Sequence, residues 1–192
     1  MRAALLALVL LTACQAGGTG EHVIEINPAD HLPEGYPPRI GGVAGVLNGQ
    51  AMAWDTYDYS IGAFDSAVQI TDFNGETRFA LRGVPVGQPN ARVNRVDLVA
   101  AMTGPGQTGA LSGAVVEVLS DQWDGPRLSS SGSEAQVVLD TLVVDEGGYG
   151  GRVTGHFSAT VCAADGFPAV VDTTKCQTIS GTFDSGLQIS GS

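Results

Sequence analysis

The chain of 192 residues has room for one domain of ordinary size with a short appendage. Charged residues make up only 15% and glycine supplies 27 positions, a composition that excludes helical bundles and coiled coils and points to an all-β chain. Acidic side chains outnumber Lys and Arg by 20 to 9, and Lys175 is the single lysine, so no basic patch exists for nucleic acid or anionic lipid.

At the N-terminus one basic residue, Arg2, precedes the apolar run Ala3 to Leu11. That run is far shorter than the roughly 20 apolar residues that span a bilayer, and it has the length of a secretory core region. It ends in Leu11-Thr12-Ala13-Cys14, which resembles the lipobox of bacterial lipoproteins. The resemblance implies cleavage of residues 1–13 and acylation of Cys14 by thioether diacylglycerol, usually with an acylated amine. Several acyl chains hold a protein on a bilayer where one would be reversible. In the enterobacterial sorting pattern Gln15, in place of Asp, implies the outer membrane. Loss of Arg2 with the signal leaves the remaining chain one unit more acidic than its full-length charge of -11.

Residues 14–38 hold the lipidated cysteine and a segment with four of the nine prolines and one short strand-like stretch, His22-Val23-Ile24-Glu25-Ile26. This composition predicts a flexible tether. Residues 39–192 form the folded domain, with strand-like segments near 40–48, 50–58, 61–73, 76–84, 92–103, 110–120, 134–146, 150–163 and 175–190. Asn48-Gly49 and Asn74-Gly75 are two-residue hairpin signals, because both central residues tolerate positive φ. Alternation supports the strands: Phe64, Val68 and Ile70 oppose Asp65, Gln69 and Thr71, and Val96, Leu98, Ala100 and Met102 oppose Arg95 and Asp97. The serine-rich stretch Gly125 to Ser133 reads as a long loop. About nine short strands at this spacing predict an antiparallel β-sandwich, with a small up-and-down β-barrel as the alternative.

With Cys14 acylated, Cys162 and Cys176 remain as an even pair in an oxidising compartment, which predicts a disulfide. Both lie in the polar phase of their strands, opposite the apolar sets Val153, Phe157, Ala159, Val161 and Ile179, Phe183, Leu187, Ile189. Placing the cysteines opposite each other fixes an antiparallel register. Thr160 then meets Thr178, Ser158 meets Ser180, Phe157 meets Gly181 and Gly155 meets Phe183. The reciprocal Gly/Phe match is independent of the cysteines and supports the same register.

Chemistry-bearing motifs are few. Gly104-Pro105-Gly106-Gln107-Thr108-Gly109 has the letters of a dinucleotide fingerprint, but a strand-like segment follows where the phosphate would need a helix N-terminus, so a hairpin loop is expected. His22 and His31 fall in the tether, and His156 lies on an outward strand face beside Thr182. Two acidic clusters contain aromatics: Trp54, Asp55, Tyr57, Asp58 and Tyr59 in one, Asp121, Trp123 and Asp124 in the other. Calcium needs six to eight oxygens, and Asp55, Asp58, Asp121 and Asp124 would supply carboxylates if their loops share one end; the competing reading is strand-terminating turn chemistry. Trp54, Tyr57, Tyr59 and Trp123 would stack on sugar rings, or fill the core. A carboxylate pair would support glycoside hydrolysis, a reading ranked below both. The outward ladder of Thr160, Ser158, Thr178, Ser180 and Thr182 offers a flat polar docking face. These observations predict a membrane-anchored envelope lipoprotein whose folded part is a non-enzymatic binding or structural module without an obligate cofactor.

Overall fold

The computed structural model of the chain describes residues 37–59, 67–120, 125–166 and 170–191. These contain no helix and eleven strands: β1 (Arg39–Leu47), β2 (Gln50–Tyr57), β3 (Val68–Phe73), β4 (Glu76–Pro85), β5 (Arg95–Met102), β6 (Gly109–Ala110), β7 (Ser112–Leu119), β8 (Arg127–Ser129), β9 (Ala135–Val144), β10 (Gly150–Asp165) and β11 (Val170–Gly191). All belong to one mixed sheet in the order β2-β1-β11-β3-β4-β5-β7-β8-β10-β9-β6, and β10 also pairs with β11. That pairing joins two members distant in the list, so the path β3-β4-β5-β7-β8-β10-β11 returns to β3. The sheet is therefore barrel-like, and closure leaves few strand edges open.

Local chemistry accounts for the hairpins. Asn48 and Gly49, and likewise Asn74 and Gly75, all take positive φ, the backbone that a two-residue turn between twisted strands demands. Strand alternation then delivers the core. Val68, Ile70, Phe79, Leu81, Val96, Leu98, Ala100, Met102, Val153, Phe157, Ile179 and Phe183 point inward into one cluster.

The long pair β10/β11 forms the spine. Cys162 lies opposite Cys176, Thr160 opposite Thr178, Ser158 opposite Ser180, Phe157 opposite Gly181 and Gly155 opposite Phe183. The Cys162–Cys176 disulfide is formed. On the chain-entropy account a bridge closing about 15 residues adds roughly 3 kcal/mol. A Cβ on Gly155 would fall 2.2 Å from the Val138 carbonyl oxygen and 2.3 Å from Phe183 Cζ, so the glycine leaves room for the ring. Gly181 does the same for Phe157, with a ring carbon 2.8 Å from where its Cβ would stand.

Four features differ from the sequence expectation. The stretch read as a loop over 125–133 contains β8, which bridges β7 to β10. One pairing, β3 with β11, is parallel rather than antiparallel, because the C-terminal strand returns alongside β3 after leaving β1. β11 begins at Val170, since residues 173–175 bulge out of register before the pairing resumes at Asp172 with Ala163. The segment predicted over 110–120 divides at Leu111 into β6, which pairs with β9, and β7, which pairs with β5.

Candidate functional site

The first acidic cluster lies on β2. Asp55 is 3% exposed, and three donors surround its carboxylate. Arg39 Nε donates to Oδ1 at 2.6 Å, while the Tyr57 hydroxyl at 3.1 Å and the Gly87 amide at 2.8 Å donate to Oδ2. β1 supplies the arginine, β2 the tyrosine and the turn after β4 the amide, so the carboxylate ties three segments together. Its oxygens face a guanidinium, an amide and a hydroxyl, the opposite of the empty oxygen cage calcium requires. Burial and the neighbouring Asp55 charge push the Tyr57 phenol well above its ordinary value of 10.0. Next to it, the Thr56 hydroxyl bonds Ser185 at 2.7 Å in the interior.

The aromatics follow suit. Trp54 and Tyr57 are 2% and 1% exposed, with Trp54 Nε1 donating to the Asn94 carbonyl at 2.8 Å, so neither offers a ring face to a sugar. Their core role corrects the stacking expectation for these two residues. Tyr59 is half-buried, tilts against Tyr57 at 6.3 Å between centroids, and donates its hydroxyl to the Pro89 carbonyl. Burial raises its phenol as well. Asp58 is half-buried and donates its amide to the Pro38 carbonyl at 2.9 Å. Asp121, Trp123, Asp124 and Cys14 lie outside the described residues. Among the described residues no group of three or more His, Cys, Asp or Glu side chains is placed to hold a metal ion.

A second charged group emerges only from strand pairing. On the outer face of β4, β5 and β7, Arg82 lies opposite Asp97, and Asp97 opposite Glu117. Arg95 Nη2 donates to Asp97 Oδ2 at 2.8 Å, Arg82 Nε stands 3.7 Å from Oδ1, and Arg127 Nε on β8 lies 3.3 Å from Glu117. Asp97 Oδ1 is buried without a hydrogen-bond partner among the described residues. Burial raises the Asp97 carboxyl above its ordinary value of 3.8, the two arginines pull it down, and Glu117 pushes it up again. Sequence reading placed Arg95 and Asp97 on the polar phase but could not bring Arg82, Glu117 and Arg127 to them, because that needs the register of four strands.

The third feature is the hydroxyl ladder. Ser158, Thr160, Thr178 and Ser180 line a shallow open groove of about 710 Å³ with Ser133, Glu134 and Gln136 along one side. The same face carries His156, whose Nδ1 lies 3.1 Å from an Asp140 carboxylate oxygen in open solvent. The glycine-rich stretch at 104–109 forms the loop between β5 and β6, with no helix after it, so the dinucleotide reading ends there.

The fold and these three features define a class: an all-β, barrel-like, disulfide-bridged domain with a hydroxyl-lined groove on one outer face and its buried carboxylates tied to cations. No protein-family model, curated protein or solved structure matches this chain.

Proposed function

We propose that the protein is an exported bacterial lipoprotein, anchored through acylated Cys14 to the envelope, with a β-domain that serves as a non-enzymatic binding or structural module. The observation that carries this reading is Leu11-Thr12-Ala13-Cys14 at the end of a short apolar run preceded by Arg2. Gln15 supports delivery to the outer membrane. The Cys162–Cys176 bridge supports an oxidising compartment, where such bonds persist.

Two further observations support a module that binds rather than reacts. Asp55, the more buried of the two described candidate carboxylates, spends its oxygens on three donors of the fold. The groove lined by Ser158, Thr160, Thr178 and Ser180 presents hydroxyls on a rigid sheet face, a surface suited to a polar partner.

Cell fractionation with metabolic palmitate labelling tests the anchor. The wild-type protein is expected to take up label and sediment with membranes, and Cys14→Ser to lose the label and appear in the released fraction. A Cys14→Ser protein that still sediments with membranes refutes the lipoprotein reading.

A further inference from the structure

The β9/β10 hairpin ends in apolar side chains that the core does not use. Tyr149 is 80% exposed, Val143 62% and Val144 44%. The turn between them is ordered: the Asp145 amide donates to the Gly150 carbonyl and the Gly148 amide to the Asp145 carbonyl, both at 2.9 Å. Gly148 takes positive φ at the bend. These are ordered projections gathered at one hairpin tip, and apolar side chains exposed together in this way suit contact with a membrane or a partner.

The place where the chain enters the fold identifies that phase. β1 runs antiparallel to β11, with Gly41 opposite Ser185, while β10 starts with Gly150 opposite Gln188. Ile40 packs at the Gly186 position, and the Tyr149 carbonyl accepts from Ile189. The described chain therefore begins at the end of the sheet that carries the hairpin tip, only a few strands away. The opposite end carries the Asn48-Gly49 turn, whose amide bonds the Thr178 carbonyl, and the Cys162–Cys176 bridge. Between Cys14 and the first described residue lie residues 15–36, which even fully extended reach only about 75 Å. A bilayer holding Cys14 thus stays within reach of the hairpin end, and tethering raises the local concentration of lipid surface there, which favours even weak contact.

We propose that the β9/β10 hairpin rests on the lipid surface to which Cys14 is anchored, with Tyr149, Val143 and Val144 in the headgroup region; this rests on the lipoprotein reading. Tyrosine suits that depth, because its ring is apolar and its hydroxyl polar. Asp145 and Glu146 in the same turn select a zwitterionic surface over an anionic one. Contact here turns the groove end of β10 and β11 away from the membrane, free for a partner.

The test uses the full lipidated protein in vesicles of zwitterionic phospholipid. An environment-sensitive fluorophore is attached at Glu146→Cys and, as a control at the far end, at Gln50→Cys. The label at 146 is expected to shift its emission to the blue and to be quenched by nitroxide-bearing lipid, whereas the label at 50 does neither. Adding Tyr149→Ser and Val143→Ser to the Glu146→Cys protein should abolish the shift while the protein stays on the vesicles. A label at 146 that remains water-like on vesicle-bound protein overturns the hairpin proposal with the anchor intact. Protein that never sediments with vesicles overturns the anchor instead.

Discussion

Asp55 concentrates several physical effects in one side chain. Its carboxylate is buried, so removing it strands the Arg39 charge, the Tyr57 hydroxyl and the Gly87 amide at once. Breaking a buried pair from one side costs about 3 to 5 kcal/mol, and the partial exposure of Arg39 places Asp55→Ala at the lower end. Urea unfolding is expected to show a loss of about 3 kcal/mol, of the same size in EDTA and in excess Ca²⁺. A calcium-dependent midpoint that the substitution erased would restore a metal role. Asp97 behaves in the opposite sense. Because its folded-state value lies above its ordinary 3.8, the fold holds its proton more tightly than the unfolded chain does. The associated stability is fully present below pH 3.8 and is lost as pH rises through the raised value. Asp97→Asn should remove that decline, giving a flatter stability profile than wild type on the alkaline side of 3.8 in a pH series of thermal melts. An unchanged profile would mean that Arg82 and Arg95 already offset the burial. Neither role is visible in the sequence: Asp55 stands among aromatics that suggest a binding loop, and Asp97 looks like one polar residue in an ordinary alternating strand.

At the scale of elements, legibility followed the reach of the signal. Two-residue Asn-Gly turns and alternation act within a hairpin, and they placed β1, β2, β4, β5 and β9 to within a few residues. The β10/β11 register was readable across a longer loop because two unrelated patterns, the cysteines and the reciprocal Gly/Phe pairs, demand the same alignment. β8 escaped because its three residues, Arg127 to Ser129, sit among serines and glycines and become a strand only through partners on β7 and β10. The Gly/Phe pairs yield a sharp expectation. A methyl at 155 meets both a carbonyl oxygen and the Phe183 ring, and overpacking of this kind costs about 1 to 3 kcal/mol or more. Gly155→Ala should lower the unfolding midpoint, and Gly155→Ala with Phe183→Leu should lose less than the sum of the two single variants, since the smaller side chain vacates the ring position. Strictly additive losses would place the strain in the backbone contact with Val138 alone.

For the whole molecule, the decisive pairing is the one the sequence hid. Hairpin signals describe neighbours in the chain, whereas closure depends on the last strand meeting β3 across more than a hundred residues. Gln188 to Gly191 pair in parallel with Gln69 to Asp72, and this contact joins the layer built on β4 and β5 to the spine of β10 and β11. Deleting residues 188–192 would leave β3 as an open edge and remove the partly buried Ile189 from the core. A handful of ladder hydrogen bonds at about 0.5 to 1.5 kcal/mol each, with one isoleucine partly withdrawn from the core, sums to at least about 3 kcal/mol. The truncated protein should unfold at lower urea, and its β3 amides should exchange far faster than those of β10, which keeps its pairing with β9. Ser190→Ala, which preserves the backbone, should leave both readouts near wild type. If truncation left β3 protected and the midpoint in place, the β2–β4 contact at Trp54 and Asp55 would suffice to hold that layer, and closure through β11 would not determine stability. The same topology sets the folding rate. β11 follows the other described strands in the chain yet pairs with β1, β3 and β10, so refolding should be slow, on the order of milliseconds to seconds as for other folds of non-local strands, and the truncation should slow it further if the β3 contact forms in the transition state.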